Sequence, residues 1–276
     1  VERALLVAGY PVLDALVAGK LAASKGEAKR AVGENSVRLN GEPVTDAAAT
    51  GSHIVLLRVP PREAQRLLGD NVPAATRRAW ARFKPGAGAF KVDLAIEGDL
   101  PWTAPEVRRA GVAHLGGTAA EIAASERETV RGRMPERPFV LVAQQYLADP
   151  TRSAGGINPI WAYAHVPAGF DGDATDAVLA QLERFAPGSR ERIVGMHVSG
   201  PAELEAHNAA YIGGDIGGGA NTAIQLIARP RLGRNAYRVE KGRAYLCGSS
   251  TPPGGGVHGM AGFNAAETAL RDLARR

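Results

Sequence analysis

Apolar positions in the first fifty residues change period once. Val12-Leu13-Asp14-Ala15-Leu16-Val17 carries them at helical spacing, and Ser24-Lys25-Gly26-Glu27 opens a second helix as a capping box. After Gly33 the pattern becomes alternating, Val37-Arg38-Leu39-Asn40 and then Val44-Thr45-Asp46. The Asn40-Gly41 pair between them predicts a β-hairpin. Ile54 to Val59 is a short apolar strand stopped by Pro60-Pro61, and helices are expected over Arg62 to Leu68 and Ala74 to Phe83. Phe90 to Ile96 alternates as a strand with one buried face. Thr118 to Glu128 reads as a helix with Thr118 at its N-cap and Glu121 three residues on, after a small-residue turn at His114-Leu115-Gly116-Gly117. Phe139 to Gln145 and Trp161 to Val166 are strands expected to pair, and Ala174 to Phe185 is an amphipathic helix. Tyr245-Leu246-Cys247 is a short buried strand, followed by a small-residue loop and a helix from Met260 to Arg275. The elements alternate without a fixed period, which argues for mixed α+β or α/β layers and against a solenoid or an eight-fold barrel.

Composition narrows the class. With 276 residues, 45% hydrophobic and 22% charged, the chain can bury a core and is not of a disordered type. A net charge of +5 permits an anionic ligand without requiring one. The single cysteine, Cys247, excludes a disulfide framework and a cysteine-based zinc site, and it is expected to be inert in its strand. With no apolar run of about 18 residues, a transmembrane segment is not expected, and a cytoplasmic location is. The chain begins at Val1 within sequence that already reads as structured, so an alternative start codon or a truncated product is expected. The six histidines show no ligand spacing, and no metal site or nucleophile elbow is expected.

Two glycine clusters stand out. Tyr211 to Asn221 holds Gly213, Gly214, Gly217, Gly218 and Gly219, for which two readings stay open, close approach of a ligand or surface and a plain loop. Arg229, Arg231, Arg234, Arg238, Lys241 and Arg243 follow, either a basic approach to the terminal loop or a solvated face. The second cluster, Gly254-Gly255-Gly256-Val257-His258-Gly259, is formally a G-x-G-x-x-G between a strand and a helix. Only 17 residues follow Gly259, too few for the second strand and acidic residue of a dinucleotide fingerprint. A terminal strand, loop and helix can therefore contribute amides to a cofactor site without being the primary nucleotide fold.

The run Tyr245 to Met260 resembles the C-terminal flavin-contacting motif of phytoene desaturase-like, amine-oxidase-type FAD oxidoreductases. Upstream segments agree in order: Phe90-Lys91-Val92-Asp93, Pro101 to Pro105, His114 to Thr118, Glu183 to Gly188 and Glu203 to Asn208. The resemblance covers roughly 52–276 and implies hydride transfer between FAD and an apolar small-molecule substrate. It implies a substrate-side mixed sheet with helices over 52–240 and a flavin-contacting strand, loop and helix over 244–275. The residues it points to are Gly248, Ser249, Pro253, Gly254, Gly255, Gly256, Val257, His258, Gly259 and Met260. No catalytic residue is assigned, and His258 is the candidate kept. The family's N-terminal dinucleotide domain has no counterpart in this sequence, so a fusion or a fragment is expected.

In its place, residues 12–46 resemble the small αL-type RNA-binding module that closes bacterial tyrosyl-tRNA synthetases, through Asp14-Ala15-Leu16-Val17, Ser24 to Arg30 and Val37 to Glu42. The resemblance implies a helix-helix-hairpin module over 1–50 whose Lys20, Lys25, Lys29, Arg30 and Arg38 contact RNA phosphates. The block is neutral overall, with six basic and six acidic residues, so a solvated helical hairpin and a chance likeness stay open. Of the synthetase's catalytic motifs, neither HIGH nor KMSKS is present.

Overall fold

The computed structural model describes residues 17, 24, 25, 38, 39, 42, 43, 54–233, 235–240 and 243–274. The chain forms two compact units, Val1–Lys84 with Gly217–Arg276, and Pro85–Ile216. Residues 54–84 and 217–240 thus share a unit with the terminal strand, loop and helix. The expected boundary near 50 falls outside the described residues.

The first unit includes a hairpin of β1 (Arg38–Leu39) and β2 (Glu42–Pro43), paired antiparallel about Asn40-Gly41 as that dipeptide predicts. Val17 and Lys25 are helical, and Lys25 is exposed. The capping box of Ser24 with Glu27, and with it Lys20, Lys29 and Arg30, lies outside the described residues; for Arg38 the strand backbone is described. Further on, β3 (Val55–Leu57), β9 (Arg238–Glu240) and β10 (Ala244–Leu246) form a sheet in the order β3-β10-β9. The central strand runs parallel to β3 and antiparallel to β9, and all three of its residues are buried. Helices α1 (Pro61–Leu68) and α2 (Ala74–Trp80) add Ala64, Leu68 and Trp80 to Val72, Val239, Ala244 and Leu246 in one apolar cluster.

The second unit is a five-stranded sheet, antiparallel throughout, in the order β5-β6-β7-β4-β8: β4 (Gly88–Glu97), β5 (Val112–Leu115), β6 (Val140–Ala143), β7 (Ile157–Val166) and β8 (Ile193–Ser199). His114 and Leu115 belong to β5 and not to the expected turn, because Leu115 joins the core and the turn begins only at Gly116. Alternation fixes the register. Phe90, Val92, Leu94 and Ile96 face the core with Ile160, Ala162, Ala164, Val140 and Val142. Val178, Leu179 and Leu182 of α4 (Thr175–Phe185) close it, and α3 (Ala119–Val130) begins with the expected capping box of Thr118 and Glu121. A short helix, α5 (Pro201–His207), follows β8. Among the described residues, no helix is long and apolar enough to cross a membrane.

Candidate functional site

Strand β10 ends in the glycine-rich loop, and the helix that follows, α7 (Met260–Leu273), is positioned from its far end. Ala261, Ala265, Thr268, Ala269 and Asp272 form its buried stripe, small enough to let the helix lie close to its support. Asp272 is buried there, holds Arg238 of β9 through two hydrogen bonds, and accepts another at 2.8 Å from the Tyr245 hydroxyl of β10. A buried carboxylate without such partners would be costly, so this network fixes the end of the helix against both strands. Nearer the loop, the Tyr237 hydroxyl donates to the Pro252 carbonyl at 3.0 Å and receives the Asn264 amide at 3.1 Å. Loop and helix are thereby braced on one phenol.

The two glycine clusters meet. A Cβ at Gly218, where φ is +78°, would lie 2.0 Å from Ser249 Oγ, and one at Gly255 would lie 3.1 Å from the Gly217 carbonyl oxygen. Gly219, at φ +129°, abuts the Phe83 ring. Close approach of Ser249 and Phe83 accounts for Gly218 and Gly219. Gly213 and Gly214 are used separately in the second unit, where Cβ atoms would meet Gly169 and Pro201.

Arg229 underlies this junction. Its side chain is fully buried and donates to the Ser249 carbonyl at 3.0 Å, to Asn221 Oδ1 at 2.9 Å and to the Ala220 carbonyl at 3.3 Å. A Cβ at Gly254 would come within 3.0 Å of its guanidinium. Gln225, in the short helix α6 (Ala223–Ile227), ties the same loop to Lys84 by bonds of 3.0 and 2.8 Å. Of the cationic run, Arg229, Arg231 and Arg238 are built into the fold. Arg231 donates to the Arg238 carbonyl, Arg238 holds Asp272 and Arg243 pairs with Glu240, while Arg234 and Lys241 lie outside the described residues. Burial, with the Arg238 charge adding to it, pushes the Arg231 guanidinium pKa down.

The residues expected to touch a cofactor divide into two sets. Gly248 and Gly254 are buried and Ser249 is half-buried, whereas Pro253 and Gly255 to Met260 are exposed. Gly254, Gly256 and Gly259 have φ of +107°, +153° and +64°, backbone that a side chain would strain. Gly259 immediately precedes the helix and supplies no side-chain cap. His258 folds back instead. Its Nδ1 accepts the Met260 amide at 3.0 Å, and its ring fills the space a Cβ on Gly256 would occupy. The Ser250 hydroxyl, fully buried, has no hydrogen-bond partner among the described residues. An exposed backbone turn and first-turn amides at the positive end of a 14-residue helix fit an anionic cofactor gripped by main chain.

Other groups resolve as structural or distant. Burial pushes the Cys247 thiol pKa up, which keeps it protonated and weakly nucleophilic. Trp102 is buried and donates to Gln144 at 2.8 Å, and Glu183 accepts the Gly188 and Arg190 amides, so these parts of the upstream resemblance serve the fold. A polar cavity of about 600 Å³ lies at the end of β4, lined by Glu97, Gly98, Pro187, Gly188, Glu191 and Arg192, and holds none of the expected residues. Among the described residues, no group of His, Cys, Asp and Glu could hold a metal ion. Sequence spacing misses one pair, His165 Nδ1 and Glu126 Oε1 at 2.7 Å, which lie 39 residues apart and meet only when β7 packs against α3.

No protein-family profile matches the chain. Over 159 residues it is 33% identical to the rat (Rattus norvegicus) pyridine nucleotide-disulfide oxidoreductase domain-containing protein 2, covering 53% of this chain and 27% of the rat protein. The mouse (Mus musculus) protein of that name is 40% identical over 99 residues, 36% of this chain and 17% of its own. The chain thus spans about a quarter or less of the curated relatives it matches. An oxidoreductase from Methanosarcina mazei aligns in structure over 84% of this chain and 44% of its own, at 13% identity and a TM-score of 0.44. The sequence matches support an oxidoreductase relationship.

Proposed function

We propose that this chain forms the flavin-contacting and substrate-side part of an FAD-dependent oxidoreductase of the phytoene desaturase-like kind, acting in the cytoplasm on an apolar small molecule. The observation that carries the reading is the meeting of the two glycine clusters beneath an exposed main-chain turn that runs into α7. The names of the rat and mouse relatives support the redox class.

Bound FAD would supply a two-electron carrier that takes or gives a hydride. The residues around it bind and orient. Gly254, Gly256 and Gly259 leave the main chain bare for close approach, and the amides of Ala261 and Gly262 stand in the first helical turn, where no intrahelical carbonyl reaches them. Arg229 and Tyr237 hold the loop in that shape before any ligand arrives. His258, whose Nδ1 accepts a main-chain amide, keeps the proton of its neutral ring on Nε2 at the exposed side.

The test is the visible absorption spectrum of the purified chain with and without added FAD. Retained flavin bands, or saturable binding at micromolar FAD, are expected; neither being seen would sink the proposal. A second reading, RNA binding through residues 12–46, is favoured by the antiparallel hairpin at Asn40-Gly41. It expects a salt-dependent shift of structured RNA that disappears when Lys25, Lys29 and Arg30 are changed to Ala, and unchanged binding would remove it.

A further inference from the structure

The five-stranded sheet has two unlike faces. One is the aliphatic core. On the other, β7 sets Trp161, Tyr163 and His165 at alternate positions, and the path continues across the sheet through Phe139 to His114. Neighbouring ring centroids lie 6.0, 5.9, 5.5 and 5.4 Å apart along this path. Trp161 is within 15° of parallel to Tyr163, and Phe139 within 15° of His114. None of the five rings is fully buried. Helix α3 covers the His165 end of this face, through Glu126 on the His165 ring and Ser125 on the Phe139 amide, while Trp161 and Tyr163 stay part-exposed. The exposed part of a sheet face normally carries polar side chains, so a continuous row of part-exposed rings needs another explanation.

Two features say what it would take. In the middle of the face, Lys91 Nζ donates to both oxygens of Asp93 at 2.6 Å, so these charges answer each other and leave neither for a charged ligand. At one end, His165 Nδ1 meets Glu126 Oε1. An ionised carboxylate only accepts, so Nδ1 carries the proton, and Nε2 of the neutral ring is an acceptor with no donor on it among the described residues. Burial, with the Glu126 charge adding to it, pushes the Tyr163 phenol pKa up, keeping that phenol protonated.

We infer that this face binds a neutral, planar, conjugated small molecule bearing a hydroxyl or N–H, its ring system on Trp161 and Tyr163 and its donor on His165 Nε2. This deepens the proposed function by naming the substrate class, and it rests on that reading only in calling the ligand a substrate. The binding itself is tested without flavin, so absence of FAD binding and absence of this site are separate results.

The experiment is a titration of the 15N-labelled chain, followed by NMR, with 2-naphthol, with 2-methoxynaphthalene and with 1-decanol. Trp161 is the half-exposed indole, whereas Trp80 and Trp102 are buried, so its side-chain signal reports the face and that of Trp102 reports the fold. Saturable shifts at Trp161 and at the His165 ring are expected with 2-naphthol. Loss of the donor in 2-methoxynaphthalene should weaken binding about tenfold, the size of one good hydrogen bond, and 1-decanol should not saturate the site. His165→Phe should equalise the two naphthalenes, and Trp161→Ala should weaken both. No saturable shift at Trp161 would overturn the inference, as would equal binding of the three compounds by the unmodified chain.

Discussion

The terminal loop and the aromatic face of the five-stranded sheet are proposed here as two recognition surfaces made by opposite means. The loop offers main chain: glycines at positive φ and the first-turn amides of Ala261 and Gly262, held by side chains that stay underneath. The sheet face offers side chains, five rings and a histidine-carboxylate pair, on a main chain saturated by its own ladder. The difference teaches where each is fragile. A surface made of backbone fails when its supports or its glycines change, and one made of side chains tolerates such changes but loses function one ring at a time.

The largest effect should come from the support of the loop. Asp272→Asn removes the charge that Arg238 and the Tyr245 hydroxyl converge on, and should cost about 3 kcal/mol. Urea unfolding should show the midpoint falling, with the ring signals of the sheet face unchanged before the transition. If those ring signals shift in the folded variant, the two surfaces are not independent and the comparison breaks. Next, Gly218→Ala places a Cβ 2.0 Å from Ser249 Oγ at positive φ and should cost about 1–3 kcal/mol, measured by the same unfolding midpoint. Flavin binding should weaken with it.

A smaller effect is expected at α3, beside the sheet face. Thr118→Ala removes one half of the capping box and should cost about 1 kcal/mol, read as a lowered melting temperature. The same cap sets a pH dependence. The Thr118 amide, then its hydroxyl and Arg184, hold the Glu121 carboxyl at about 2, down from an ordinary 4.5. A depressed folded-state pKa stabilises above the unfolded value, so this contribution is present above about pH 4.5 and lost as pH falls towards 2. Glu121→Gln should therefore flatten the melting temperature across that window. The smallest effect belongs to Val257→Ser. Val257 is fully exposed, so stability should hold within about 0.5 kcal/mol while flavin binding weakens, a separation that a plain surface loop would not give.

What could be read in the sequence follows the same division. Local signals carry the elements: the hairpin at Asn40-Gly41, the capping box of Thr118 and Glu121, and the alternation of β4 are all where their residues point. Strand β5 escaped because His114 and Leu115 stand next to two glycines, and the turn they suggest starts two residues later, at Gly116. Strand β8 escaped too, since Gly195 interrupts it and its edge position exposes Val194 and Met196. For the loop, its glycine content was visible but its partner was not. Gly218 and Ser249 lie 31 positions apart, and nothing local says that they touch. Arg229 reads as one more surface cation until its burial is seen. The aromatic path is the extreme case, because Trp161, Tyr163 and His165 come from β7, His114 from β5 and Phe139 from the residue before β6, and they share a face only once the register is set.

The central claim is that main-chain groups of 254–262 receive the flavin. Hydrogen-deuterium exchange of the chain with and without FAD tests it most directly. Slower exchange confined to the amides of 254–262, with those of β4 and β7 unchanged, is the predicted result. Unchanged exchange in that loop, or protection arising in the five-stranded sheet instead, would contradict it.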